Sequence, residues 1–218
     1  MTVIYPSIRN DKMSELAMLS IRHQTLKDME ILEIRDPDIT PGEAANRALD
    51  IAKGELVTWA YDDDVLLLSK CEILAMYADK YPDYDVFYSS HIIIDENNKL
   101  MAIWSPPIFN IGLFVSMGNF ISTITTAVRR EKIGDIRFRT DYPLTDEYLF
   151  FYDLYQKGLK FKQIGVPLAL VREWSGSRTA KYHEEKIQEH ERIRMELGEQ
   201  FYQGRTYRKD YVERVCQK

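Results

Sequence analysis

The sequence predicts an α/β fold with a mostly parallel central sheet and helices on both of its faces. Three observations carry the prediction. Through the first 90 residues, short apolar runs alternate with amphipathic segments as strand, helix, strand, helix, strand, helix, strand, the signature of crossover-connected parallel strands. Each of the three helices opens on a capping residue, Asp11, Thr40 or Ser69. The run Leu56–Ala60 is nearly continuously apolar, as a parallel strand buried on both faces must be.

Taken in order, Val3–Tyr5 forms the first strand, which Pro6 stops and the polar loop Ser7–Asn10 follows. Asp11 caps a helix to about Gln24. The second strand, Glu30–Ile34, ends in the polar sequence Arg35, Asp36, Pro37, Asp38. Thr40, Pro41, Gly42 and Glu43 combine a capping box with proline at the first helical position. The helix runs to Lys53 with a small-residue face of Ala45, Ala48 and Ala52, and Gly54 is expected to close it in the left-handed conformation. The third strand, Leu56–Tyr61, delivers Asp62, Asp63 and Asp64 to its end. Ser69 and Glu72 read as a second capping box for a helix ending near Tyr81, and a fourth strand begins at Tyr84.

The second half is expected to add a hairpin of His91–Ile94 with Leu100–Trp104, a strand at Ser122–Val128 and a helix capped by Thr145 that Gly158 ends. Two short strands, Lys160–Ile164 and Leu168–Val171, precede a polar loop. From His183 the chain is charged and helix-like, and it is mildly basic after Gly204. The expected organisation is one domain over residues 1–182 with a helical tail over 183–218.

Bulk properties narrow the function. A length of 218 residues suits one sizeable domain, and 45% hydrophobic with 29% charged residues is an ordinary globular balance. A net charge of −5 argues against an extended nucleic-acid surface. Cys71 and Cys216 form no CxxC pair, so neither a disulfide framework nor a zinc site is expected and a cytoplasmic setting fits best. No run of about 18 apolar residues marks a membrane span. The apolar part of MTVIYPSIRND is too short for a signal peptide. Peripheral association with the inner face of a membrane stays open.

Chemistry concentrates where the strands end. In a parallel α/β sheet, ligands bind outside the carboxyl ends of the strands, which places Ser7–Asn10, Asp36 and Asp62–Asp64 along one rim. Like charges about 4 Å apart repel by roughly 4 kcal/mol at an effective dielectric near 20, so a tight acidic cluster either splays into water or binds a cation. Carboxylates are hard ligands suited to Mg2+ or Mn2+, which use one or two of them together with phosphate and water. Side chains alternate along a strand. Either Asp62 and Asp64 share a side, or a turn presents Asp62 and Asp63. The plainer alternative is a solvated acidic loop.

The order and spacing of these segments resemble family 2 glycosyltransferases of the GT-A fold, over roughly residues 2–180. The resemblance rests on the Pro-containing loop after the first strand, the strand ending at Asp36, and AANRALDIAKGELVTWAYDDD, in which Asn46, Gly54, Glu55 and Asp63 match the family pattern. GNFISTITTAVRRE resembles the strand before the acceptor region, and TDEYLFFYDLYQKGLKF the helix whose first Asp is the catalytic base.

The resemblance implies a Rossmann-like nucleotide-diphospho-sugar transferase that inverts the anomeric centre. Asp63 becomes the leading metal ligand, Asp62 a ribose or metal contact, and Asp64 a third candidate. Asp36 meets the base with help from Pro6, Ser7 and Arg9, and Asn46 and Arg178 join the donor site. Asp146 is the general base. The implied partners are a UDP- or GDP-linked sugar and a glycan or lipid-linked acceptor, with Mn2+ or Mg2+. Three positions depart from the pattern: Tyr61 where an Asp often opens the acidic motif, Arg35 where the first of two acids often stands, and Trp174 where a His often follows Arg172. Arg172, Arg178 or Lys181 could contact the diphosphate instead. His183 and His190 are expected on the surface, and Trp104, Phe109, Phe114 and Phe120 in core packing. The alternatives are a metal-dependent nucleotidyltransferase, disfavoured by the lack of a Gly-rich basic loop after the first strand, and a nucleotide-sugar-binding protein without turnover.

Overall fold

The structure, a computed structural model, describes residues 1–202 and the side chains of 1–198. The basic stretch after Gly204 and Cys216 lie outside the described residues. The elements are β1 (Thr2–Pro6), α1 (Lys12–Arg22), β2 (Glu30–Ile34), α2 (Pro41–Ile51), β3 (Leu56–Trp59), β4 (Val65–Leu66), α3 (Lys70–Lys80) and β5 (Val86–Ile94). There follow β6 (Leu100–Trp104), α4 (Ile111–Met117), β7 (Ala127–Arg129), α5 (Arg130–Ile133), α6 (Asp146–Gln156), β8 (Phe161–Arg172), α7 (Arg178–Lys181) and α8 (His183–Tyr202).

The sheet runs β2-β1-β3-β7-β5-β8-β4, with β6 paired to β5. β1 is parallel to β2 and β3, β5 is parallel to β8, and β7 lies antiparallel between β3 and β5. β1, β2, β3, β5 and β8 therefore point one way, with β4, β6 and β7 against them. That common direction puts the loop after β1, Asp36, the aspartates after β3 and Arg172 at one rim. β1 and β3 are buried throughout.

The caps show which local signals govern. Asp11 accepts from the Met13 and Ser14 amides, and Thr40 with Glu43 closes the expected capping box at 3.2 and 2.7 Å. Ser69 makes no side-chain cap, its backbone (φ −98°, ψ 7°) lying outside the extended region a cap adopts, and the Glu72 carboxylate accepts from Thr25 Oγ1 at 2.6 Å in place of closing the box. Thr145 makes none either, since its hydroxyl donates to Glu189 of α8. Gly158 is left-handed as expected, with φ of 88°. Gly54 is not: α2 ends at Ile51 with Ala52 as its C-cap, and Gly54 is needed because a Cβ there would lie 2.4 Å from the Thr2 amide nitrogen.

Two strand expectations change. Ser122–Val128 folds as a 3-10 turn at Thr123–Thr125 before the short β7. The hydroxyls of Thr125 and Thr126 both donate to the Ser122 carbonyl, the local backbone bonding by which threonine competes with strand pairing. The two strands expected near 160 and 168 are one strand, β8, whose register against β5 shifts between Ser89 and Ser90.

The main core stacks Phe138 on Phe150 at 4.1 Å, with Trp59 edge-on to both. Ile193 and Leu197 of α8 are buried in this same cluster. Phe114 and Phe120 belong to it and Phe109 packs against them, whereas Trp104 lies on the exposed strand β6. No described helix is long and apolar enough to cross a membrane.

Candidate active site

A cleft of about 1030 Å3 opens at the rim where the parallel strands end. Of the residues expected to form the site, Pro6, Ser7, Arg9, Asp36, Asp62, Asp63, Asp64, Asp146 and Arg178 line it. Asn46 does not. Its amide is engaged on both sides by Phe138, donating to the carbonyl and accepting from the N–H at 2.8 Å each. The correction has a plain cause: α2 must hold the segment leading to Asp146, and a side-chain amide offers one donor and one acceptor for a single backbone residue.

The three adjacent aspartates diverge. Asp62 accepts the Ile8 and Arg9 amides at 2.9 and 3.0 Å, tying the loop after β1 to the end of β3. Asp63 accepts the Trp174 indole N–H at 3.0 Å. Burial raises the pKa of Asp63, the indole hydrogen bond opposes that rise, and the neighbouring Asp62 adds to it. Asp64 turns inward, 8% exposed, and accepts the Arg172 amide at 2.8 Å. Its pKa is pushed well up, first by burial and then by Asp63. The turn therefore leaves Asp62 and Asp63 partly exposed at the cleft, while Asp64, which also borders it, is buried against Arg172.

Arg172 is buried too, bonded through its guanidinium to the Asp63 and Asp95 carbonyls. These bonds make it a tie across the rim, while the residue also lines the cleft. Trp174 is packed between the Arg9 guanidinium, 4.6 Å from its ring, and Gly176, where a Cβ would overlap the ring.

The donor set defines what cation could bind. Among the described residues no group of three His, Cys, Asp or Glu side chains converges on a metal position. Asp62 and Asp63 each keep Oδ1 free of hydrogen bonds from other described residues. One or two carboxylate oxygens suit an Mg2+ or Mn2+ whose shell is completed by a diphosphate and water, and do not suit an all-protein cage.

Tyr61, the departure from the acidic pattern, has a structural role. Its hydroxyl lies 2.7 Å from Thr123 Oγ1 and donates to Glu147 at 3.2 Å, while Thr123 also donates to Glu147 at 2.7 Å. This three-way contact joins the end of β3 to the first turn of α6. Lys70 does similar work from below. Fully buried, it donates to the Trp59 carbonyl at 2.7 Å, and burial pulls its pKa down to about 8.

Asp146 begins α6 and is 8% exposed. Burial and the adjacent Glu147 charge push its pKa up to about 7, with Arg178 opposing. A carboxylate titrating there is matched to general-base work near neutral pH. Its approach to α2 is close enough that a Cβ on Gly42 would sit 2.1 Å from Asp146 Oδ2.

No protein-family model matches the chain, and no curated protein matches it in sequence. Solved structures do. Staphylococcus aureus TarS matches at TM-score 0.62 and 15% identity over 84% of this chain and 38% of TarS. TarS 1–349 in complex with UDP-GlcNAc matches at 0.64 and 15% identity, over 82% of this chain and 60% of the other. The mannosyltransferase PcManGT from Pyrobaculum calidifontis, in complex with GDP-Man and Mn2+, matches at 0.56 and 14% identity, over 90% and 63%. The fold is GT-A. The chain spans less than two thirds of each of these longer structures.

Within this fold α8, the last described helix, lines one side of the cleft. Glu189 accepts from the Leu144 amide and the Thr145 hydroxyl at 3.1 and 2.9 Å, and Glu196 accepts from the Tyr142 hydroxyl, so α8 secures the segment that presents Asp146. Both His183 and His190 line the cleft; His183 is exposed, as expected, whereas His190, expected on the surface, is half-buried and stacks on Tyr148 at 4.9 Å. Burial, aided by Lys186 and Arg194, lowers its pKa to about 4. The spacing of His183, Lys186 and His190 was the available signal, since positions i, i+3 and i+7 share one helix face. Thr123 and Lys70 carried no such signal, and Tyr61 and Trp174 stood out only as departures from the family pattern, since their partners lie 62 and 111 residues away.

Proposed function

We propose that the protein is an inverting glycosyltransferase that moves a sugar from a UDP- or GDP-linked donor to a hydroxyl acceptor. The observation that carries the reading is Asp146, a buried carboxylate with a pKa of about 7, in the same cleft as the Asp62–Asp63 pair. The nucleotide-sugar complexes of TarS and PcManGT support the class of donor.

Asp146 takes the proton from the acceptor hydroxyl as its oxygen attacks the anomeric carbon. The new C–O bond forms as the bond to the diphosphate oxygen breaks, and that oxygen departs with the electron pair. A single displacement from the opposite face inverts the centre, as in one-step glycoside hydrolysis. The loop after β1, pinned by Asp62, with Asp36 beside it, positions the nucleoside. Asp63, with Asp62, would hold a Mn2+ or Mg2+ ion, which when bound supplies charge neutralisation for the diphosphate.

Thermal-shift measurements with UDP- and GDP-sugars, with and without Mn2+, test the donor half, because a ligand that binds the folded state raises its apparent stability. A Mn2+-dependent shift with one or two donors, diminished in Asp63→Ala, is the expected result. No shift with any donor would remove the reading's main support. Asp146→Asn should abolish transfer while leaving donor binding intact, and surviving turnover would show that another group is the base.

A further inference from the structure

β6 hydrogen-bonds to β5 along His91–Ile94, and among the described residues its other edge pairs with no strand. Every residue of β6 is exposed, with Leu100, Met101 and Ile103 at 60, 60 and 61% and Trp104 at 40%. Side chains alternate across a strand, so both faces of β6 offer apolar surface to solvent. None of Leu100–Trp104 lines the cleft. Soluble proteins ordinarily guard such an edge with a charge, a proline or a covering segment. Leu100–Trp104 holds neither charge nor proline, and its one irregularity is a register shift at the Leu100 end.

The hairpin is held ready. Asp95 accepts the Asn97 and Lys99 amides at 2.8 Å each, and its carbonyl accepts from the Arg172 guanidinium at 2.9 Å, which ties the turn to the cleft rim. A preformed edge binds without the entropy cost of ordering a loop.

The occupant that fits is a second copy of the chain. Two antiparallel copies of one strand are related by a two-fold axis, so the same patch must complement itself. An axis through Ala102 sets Met101 against Ile103 and Leu100 against Trp104, large apolar pairs on either side of the one small residue. Charge fits the same arrangement. At a net charge of −5 the chain repels its own copy, and a charge on the axis would oppose its like. This strand carries none, and Lys99 falls opposite the uncharged Ser105. A lipid surface fits poorly, because the turn beside the strand carries Asp95 and Glu96, which an anionic membrane repels.

We propose that β6 pairs edge to edge with β6 of a second copy, antiparallel about Ala102, joining two sheets into one. The interface lies outside the cleft and is independent of the transferase reading. A strand of five residues buries less than the about 800 Å2 per partner of a standard interface, so the dimer forms reversibly with concentration.

Sedimentation velocity of the full chain from about 5 μM to about 500 μM, the range of weak complexes, should show the dimer fraction rise. Met101→Lys and Ile103→Lys should each weaken the dimer by about tenfold or more. Met76→Lys, at a 53% exposed position on α3, should leave it unchanged. Cross-linking in a Cys216→Ser background reads the register. Residues opposed across the axis lie about 4.5–5.5 Å apart at Cα, within disulfide reach, so Ala102→Cys should link two chains under air oxidation. Leu100→Cys should not, since the two copies of position 100 would be about 13 Å apart. A chain that stays monomeric throughout, or a dimer indifferent to Ile103→Lys, overturns the proposal, as does equal cross-linking at positions 100 and 102. Should the monomer sediment with mixed phosphatidylcholine and phosphatidylserine vesicles, and Ile103→Lys release it, lipid is the occupant and the pairing fails. It fails equally if the β6 amides of a monomer resist hydrogen exchange, because another part of the chain then covers the strand.

Discussion

Asp146 shows how one residue can weaken a fold and equip a site at once. Its ordinary pKa of 3.8 rises to about 7 in the folded chain, chiefly through burial. The folded state therefore keeps a proton that the unfolded chain releases across this window, and stability falls as pH rises from about 4 to about 7. The full cost is present above pH 7 and absent below about 4. Asp146→Asn should accordingly raise unfolding free energy by about 2–4 kcal/mol at pH 8, with the difference vanishing near pH 3.8. Urea denaturation at the two pH values measures it, and an equal effect at both would contradict the assigned titration. Transfer should decline as pH falls below about 7, since protonated Asp146 cannot accept a proton. The place of Asp146 at a helix start was legible in the sequence. Its burial was not, because Gly42 and the turn of α8 that covers it come from other parts of the chain.

At the level of elements, helix ends explain both what sequence reading captured and what it missed. Thr40, Pro41 and Glu43 form a local device whose partners lie within three residues, so it forms as read. Ser69 and Thr145 have the right chemistry for caps, but Ser69 is not in the extended backbone conformation a cap adopts, and the Thr145 hydroxyl and the Glu72 carboxylate are taken up by Glu189 and Thr25, which tertiary packing brings in. Gly42 sits inside the first turn of α2, where alanine is ordinarily better by about 0.5–1 kcal/mol. Here a Cβ would meet Asp146 Oδ2 at 2.1 Å, so the carboxylate must shift. Gly42→Ala should lower transfer by about 10- to 100-fold while the midpoint of thermal unfolding changes little. Full activity in that variant would mean that Asp146 tolerates displacement, which the proposed base cannot.

Across the whole molecule, α8 is structural as well as functional. Ile193 is fully buried in the main core with Leu197, and Glu189 and Glu196 hold the segment before Asp146. Ile193→Ala should cost about 2–5 kcal/mol of stability, as large-to-small core changes do, measurable by urea denaturation. A cost below about 0.5 kcal/mol, the range of surface substitutions, would show the helix to be a dispensable appendage. The same long-range packing makes the cleft: Trp174 meets Asp63 across 111 residues, and Asn46 meets Phe138 across 92. β7 enters the sheet between β3 and β5 from far along the chain and brings Thr123 to the rim beside Tyr61.

The amino-acid sequence was sufficient for the α/β alternation, the strands β1 to β3 and the rim carrying Ser7, Asp36 and Asp62–Asp64, because periodicity and strand direction are local properties that crossover geometry extends to the sheet. Tertiary structure alone decided that Asp64 turns inward, that Trp174 meets Asp63, that Asn46 serves the scaffold and that α8 lines the cleft that holds Asp146. Those outcomes depend on which side-chain atoms meet after distant segments pack, and neither hydrophobic period nor motif spacing encodes that pairing.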